Sequence, residues 1–386
     1  MKALLLGVMR DGTGYANAGI DTALSMQSAG IDVVCRSISM TQPKDPNSGI
    51  EIKEFEQKDL NNIDAVIQLC LPHTFEKISR AKCIGYFYYE TTCFRNSGWH
   101  NYCNLMDQTW VPCIQQKQTC IDSQVVNPIK IVPNGCNPAK FEKQYRSLNL
   151  GDVAKNKCVF YCIAENNRRK NFASLIRSYY LAFQKNEDVL LIIKTNGNIN
   201  QMIMDIRKSI HPYCNDNIYP KILVISNHMA NDDICALHQA GDIFVTASKG
   251  EGWNIGCHDA LGFGNPVIVP NWGSHHDLLC DNRSSCFDPI RKIFKNTHEI
   301  DAGWLVGGLL TPCFGMQTGI KNLYNGTELW FETDILDMAK CMTAAYNRWT
   351  SNQLGLMKDN AKRRAMNFSY EKVGHIIKKE LEAILQ

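Results

Sequence analysis

Short apolar runs alternate with polar, turn-rich or helical stretches through the first part of the chain. Those at 2–8, 31–38, 63–70, 83–89, 109–113 and 129–132 lack clean period-two alternation, so they predict strands covered on both faces, as in a parallel sheet. Between the first two, residues 16–30 carry Ile20, Ala23, Leu24 and Met26 at helical spacing and stop at Gly30, which predicts a crossover helix and a βαβ unit. The second half repeats this rhythm. Strands are expected at 159–164, 189–194, 222–226, 243–246 and 266–269, with helices at 171–184, 199–210 and 232–240. The polar stretch 142–157 separates the two halves, so the expectation is two doubly wound α/β domains, 1–148 and 149–366. The tail, 367–386, places Val373, Ile377, Leu381 and Ile384 on one face behind a possible N-cap at Ser369. Such a helix must pack on something.

Composition narrows the class without naming a partner. A chain of 386 residues fits two domains at about 100–200 residues each. With 45% hydrophobic and 20% charged residues, global disorder is excluded. Lys and Arg number 41 against 38 Asp and Glu, and 41 − 38 = +3 is too mild a charge to imply nucleic-acid binding by bulk electrostatics. The 17 cysteines are scattered with no Cys-x-x-Cys pair, which argues against a zinc knuckle and for reduced core thiols. The apolar run at 3–9 is too short to span a bilayer, so the expectation is a cytoplasmic protein without stable membrane insertion.

Two glycine-bearing loops carry candidate chemistry. Asp11-Gly12-Thr13-Gly14 follows the first strand and opens a helix, where backbone can approach a ligand and free N–H groups face an anion. It is not a dinucleotide fingerprint, because Asn17 stands where a third glycine is needed. The second loop, Ser248-Lys249-Gly250-Glu251-Gly252-Trp253-Asn254-Ile255, follows the strand at 243–246 and leads into a helix carrying Asp259. Two carboxylates eight residues apart, one on the loop and one on the helix, can reach separate hydroxyl groups of one polyhydroxylated ligand. The plainer alternatives are a loop ion pair for Glu251 and, for Asp259, a carboxylate complementing a helix dipole. His275 and His276 beside Asp277 invite a metal reading, but neighbours on one strand point apart and no third ligand is suitably spaced. No metal site is expected.

The segment from Ser248 to Ile268 resembles the signature of retaining nucleotide-sugar glycosyltransferases of the GT-B fold, the family known as glycosyltransferase family 4 or glycosyl transferases group 1. Glu251 and Asp259 match its two acidic positions, and Gly264, Pro266, Val267 and Ile268 match its tail. Asp259 stands for the usual second Glu, and Gly256 for the usual Pro. Trp110-Val111-Pro112-Cys113, Val132-Pro133-Asn134-Gly135, Arg169-Lys170-Asn171 and Gly241-Asp242-Ile243-Phe244-Val245 resemble further family segments in the right order. Ala164 occupies a place where many members carry arginine, so diphosphate neutralisation would rest on Arg169, Lys170 and Lys194.

The resemblance implies two Rossmann-like domains facing across a cleft, with the tail helix returning to the first. It implies transfer of a hexose or pentose from a nucleotide diphosphate sugar to an acceptor hydroxyl, with retention and without metal or cofactor; no Asp-x-Asp triplet of the metal-dependent kind is present. Glu251, Lys170, Arg169 and Glu90 are the candidate catalytic groups. Gly14, Lys194, Trp253, Asn254, Ile255 and Asp259 would bind the donor, and His73 and Tyr89 would line the acceptor side. The acceptor stays open among glycan, lipid, protein and modified nucleic acid, with residues 38–59 and 86–99 shaping its site. Rival readings are a GT-B nucleotide-sugar epimerase or phosphorylase, and a non-catalytic nucleotide-sugar-binding module.

Overall fold

A computed structural model of the chain describes every residue except 40–48, 149, 211–217, 281–286, 289–292, 295–297 and 317–318; at 287–288, 293–294 and 298 it describes the backbone alone. Part of the 38–59 loop expected to shape the acceptor side therefore lies outside the described residues. The chain divides into two units. The first comprises 1–138, 317–329 and 366–386, and the second 139–316 and 330–365.

In the first unit the apolar runs form β1 (Lys2–Val8), β2 (Asp32–Ile38), β3 (Ala65–Leu69), β4 (Lys82–Tyr86), β5 (Gln108–Val111) and β6 (Ile129–Ile131). All pair in parallel, in the order β2-β1-β3-β4-β5-β6. The order reverses between β1 and β3, so loops leaving these strands diverge at the carboxyl edge, where ligands of doubly wound sheets bind. The first of these loops is built by side chains. Asp11 Oδ1 accepts from the N–H (3.0 Å) and hydroxyl (2.6 Å) of Thr13, and Thr13 Oγ1 in turn accepts from Ala16 N–H (3.2 Å), which starts the helix Gly14–Ser28.

The tail forms the helix Tyr370–Leu385, capped by Ser369, whose hydroxyl accepts the N–H of Lys372 at 3.4 Å. Val373, Ile377 and Leu381 are buried in one cluster with Ala23, Met26, Val33 and Ile67. Glycine decides how close this helix comes. A Cβ added at Gly374 would lie 2.1 Å from the carbonyl oxygen of Ser25, so the helix can seat on Gly14–Ser28 only without one.

In the second unit β7 (Cys158–Ile163), β8 (Val189–Lys194), β9 (Lys221–Ile225), β10 (Ile243–Val245) and β11 (Val267–Pro270) join in parallel, and the sheet order is β14-β15-β11-β10-β7-β8-β9. Here β14 is His298–Ile300 and β15 is Gly303–Val306, the first running antiparallel to the second. A small second sheet, absent from the sequence reading, contains β12 (Phe287–Asp288), β13 (Ile293–Phe294), β16 (Gly308–Pro312) and β17 (Leu329–Thr333). The helices Phe172–Ala182 and Ile335–Thr350 bury Leu175, Tyr179, Met338 and Met342 with Phe160, Leu191 and Trp304 of the sheet. This core fixes the strand ends that carry the candidate site. The reversal of order lies between β7 and β10.

Candidate functional site

The site in the second unit is assembled by adjacent strands. After β7 the chain makes the short turn Arg168–Lys170, in which Asn167 accepts the N–H of Lys170 at 3.2 Å, and Asn171 then takes a left-handed conformation (φ 52) to start the next helix. After β10, the loop bearing Ser248 to Asn254 lies against that turn: Lys249 N–H donates to the carbonyl of Arg169 at 2.8 Å. This brings three charged side chains together. Arg169 Nη1 is 3.0 Å from Glu251 Oε2 and also donates to the Gly250 carbonyl at 2.6 Å, while Lys170 Nζ is 2.6 Å from Glu251 Oε1. Glu251 itself is 6% exposed. Burial pushes its carboxyl pKa up, but Lys170 and Arg169 outweigh that penalty and hold the group well below the usual carboxylate range. Two cations against one carboxylate leave the cluster with a net positive charge.

The remaining donor-side candidates occupy distinct positions around this cluster. Trp253 is buried and donates its indole N–H to His258 Nδ1 at 3.1 Å. Asn254 adopts a left-handed backbone (φ 66) and caps the helix Ile255–Gly262 by accepting Cys257 N–H at 3.2 Å; its side-chain nitrogen lies 2.8 Å from His275 Nε2. Ile255 opens that helix. Asp259 lies within it and pairs with Lys140 at 2.7 Å. Its burial favours the neutral acid, yet Lys140 more than compensates and lowers its pKa. Lys194 ends β8 and donates to the carbonyl of Thr195 at 2.9 Å, apart from the Glu251 ion pairs; burial lowers its pKa. His275 and His276 are not strand neighbours, as the sequence reading had them, but open the helix His275–Leu279, with His276 bonded to Asn271.

Sequence reasoning missed two contributors here. Lys140 carried no signal, because it meets Asp259 across 119 positions of sequence. Lys249 was inside the quoted loop, but its partner Glu332, which also accepts from Asn171 Nδ2 at 3.2 Å, lies in β17 of the unforeseen small sheet.

The first unit carries its own candidates, all at the carboxyl edge of its sheet. Gly14 begins the helix after β1, and a Cβ added there would meet no atom within 4 Å. His73 follows β3, is exposed, and stacks on Trp99 at 6.0 Å between ring centroids. Tyr89 and Glu90 follow β4. Tyr89 is buried, its hydroxyl donating to the Cys93 carbonyl at 3.1 Å, so it backs the edge instead of lining it. Glu90 is partly exposed and accepts from the hydroxyl of Tyr324 at 2.8 Å. Tyr324 was not a sequence candidate.

Two mostly parallel sheets with reversal points, each bearing ligand-type groups on its carboxyl edge, define a doubly wound α/β protein. The comparisons with known proteins agree. No family model and no curated protein matches the chain in sequence. Its fold is nevertheless that of GT-B glycosyltransferases. It is similar to a glycosyltransferase from Rickettsia africae (TM-score 0.63, 13% identity, 100% of this chain and 98% of that one). It is also similar to HepE from Anabaena, solved in complex with UDP-glucose (TM-score 0.62, 13% identity, 99% and 100%). The pneumococcal O-GlcNAc transferase GtfA, solved with UDP and GlcNAc, matches over 84% of this chain, which spans 57% of GtfA (TM-score 0.53, 14% identity).

Among the described residues no group of three or more His, Cys, Asp and Glu could hold a metal ion, and no helix is long and apolar enough to cross a membrane.

Proposed function

We propose that the chain is a retaining glycosyltransferase that moves one hexosyl or pentosyl unit from a nucleotide diphosphate sugar to an acceptor hydroxyl, using neither metal nor cofactor. The observation that carries this reading is the Arg169–Lys170–Glu251 cluster on adjoining strand ends of the second unit. Breaking the bond between the sugar and the diphosphate leaves negative charge on the departing phosphate. Fixed cations aimed at that charge lower the barrier, and the removal of one such group typically costs roughly 10²–10³ in rate. Arg169 and Lys170 would serve the diphosphate, Glu251 the sugar hydroxyls and Asp259 the ribose hydroxyls, with the N–H groups of Asn254 and Ile255 beside the sugar. Support also comes from the similar proteins solved with UDP, UDP-glucose or GlcNAc. The described cysteines are free thiols, which suits the reducing cytoplasm as its location.

The test is proton NMR of the purified chain with UDP-, GDP-, ADP- and TDP-sugars in the presence of EDTA. The expected result is consumption of one donor, with the first-formed sugar product in the donor's anomeric configuration. An inverted product overturns retention, and loss of activity in EDTA restored by a divalent ion overturns metal independence. Conversion of one nucleotide sugar into another without nucleotide release assigns an epimerase instead. No consumption, with the nucleotides still bound, assigns a binding module.

A further inference from the structure

The loop that carries Glu251 is held from two sides, and β17 supplies the second. Lys249 N–H donates to the Arg169 carbonyl at 2.8 Å, while the Lys249 carbonyl accepts the N–H of Phe331 at 2.7 Å. The Thr333 hydroxyl adds a bond to the Ala247 carbonyl at 3.4 Å. The strand thus runs beside residues 247–249, and its two-residue period puts Trp330 and Glu332 on one face. Lys249 spans both. Its Nζ lies 4.9 Å from the centroid of the Trp330 ring and pairs with Glu332 Oε2.

Glu332 then reaches a second segment. Its Oε1 accepts from Asn171 Nδ2 at 3.2 Å, and Asn171 stands directly after Lys170, in the left-handed conformation that leads the turn Arg168–Lys170 into the next helix. The contacts close a ring: Arg169 carbonyl to Lys249, Lys249 to β17, Glu332 to Asn171, and Asn171 back along the chain through Lys170 to Arg169. Two charged residues of the site lie on that ring, and Glu251 stands two positions beyond Lys249. Charge points the same way. Lys249 is only 9% exposed, and a buried cation without a counter-charge is costly. The other acid between Ser248 and Asn254 is Glu251, whose two oxygens already meet Arg169 and Lys170. Glu332 satisfies Lys249 without drawing on Glu251.

We infer that Glu332 is a positioning residue for sugar transfer: by clamping Lys249 and Asn171 it fixes where Arg169 and Lys170 stand relative to Glu251, and so makes turnover depend on the small sheet. This rests on the transferase reading above and adds a residue that acts through others.

The test uses the full chain and the sugar nucleotide consumed in the experiment above, with rates expressed per folded molecule from circular dichroism. Glu332→Ala removes both arms of the clamp, and kcat should fall roughly 10²-fold, as for groups misplaced by about 1 Å, with a smaller change in the donor KM. Glu332→Gln keeps an acceptor for Asn171 and loses the charge facing Lys249, so its kcat should lie between those of wild type and Glu332→Ala. Hydrogen exchange reads the clamp without turnover. Peptides spanning 168–171 and 247–254 should exchange faster in Glu332→Ala, while the tail helix exchanges as in wild type. Wild-type kcat in folded Glu332→Ala overturns the inference, and so does a loss carried by the donor KM alone, which would make Glu332 a donor contact. If the wild type consumes no donor, the transferase reading fails. Faster exchange in Glu332→Ala would in that case still uphold the clamp, and unchanged exchange would overturn it.

Discussion

Glu251 illustrates how much its neighbours decide about a single residue. A carboxylate this deeply buried would be neutral on its own, and it stays ionised because Lys170 and Arg169 reach both oxygens. Three buried histidines nearby show the opposite outcome. Burial pushes His238, His258 and His275 down to about 4, against an ordinary value of 6.5. Burial is what keeps each of them neutral; within it, His258 Nδ1 accepts the Trp253 indole N–H, and the Tyr161 hydroxyl lies 2.8 Å from His238 Nδ1. Their depressed values make stability depend on pH with a definite sign. Between 6.5 and 4 the unfolded chain binds protons that the folded chain does not, so the melting temperature should fall on acidification through that window and gain nothing from these groups above it. His238→Asn, measured by thermal melts across the window, should show a shallower slope than wild type. The residues of the Glu251 cluster were legible because loop, turn and spacing repeat a recognisable signature. Lys140, Glu332 and Tyr324 were not, since each owes its place to a contact across more than 80 positions.

At the level of elements, the parallel strands announced themselves because both their faces are buried, leaving uninterrupted apolar runs such as Val189–Lys194. The strands of the small sheet did not. They are two to five residues long, too short to show a period. The tail helix showed its apolar face in sequence, and its seat on Gly14–Ser28 depends on Gly374. Gly374→Ala should therefore lower stability by about 1–3 kcal/mol through overpacking against Ser25. Ile377→Ala, which removes buried volume from the same contact, should cost about 2–5 kcal/mol. Denaturant titrations check both, and a neutral Gly374→Ala would mean that the helix seats elsewhere.

For the whole molecule, the chain crosses between its two units four times, at 138/139, 316/317, 329/330 and 365/366. The sequence pointed to a passage near the polar stretch 142–157 and to the tail, but gave no hint of the excursion at 317–329. That segment, rich in Asn and Gly, reads as a loop; what seats it is Leu323 in an aromatic cluster and Glu328 on its own backbone. Each unit presents its candidate groups on the carboxyl edge of a parallel sheet: cations and acids on the second, rings and Glu90 on the first. Under the proposed function the second unit would take the donor and the first the acceptor, and the charge-neutralising work would fall to Arg169 and Lys170. The most direct test is the initial rate of nucleoside diphosphate release from the preferred sugar nucleotide, compared among wild type, Lys170→Ala and Glu251→Ala at equal folded concentration. Release by the wild type, reduced roughly 10²–10³-fold in Lys170→Ala and comparably in Glu251→Ala, is the predicted result. Release that proceeds unchanged in both folded variants would contradict the account, because the reaction would then lie outside the cluster on which it is built.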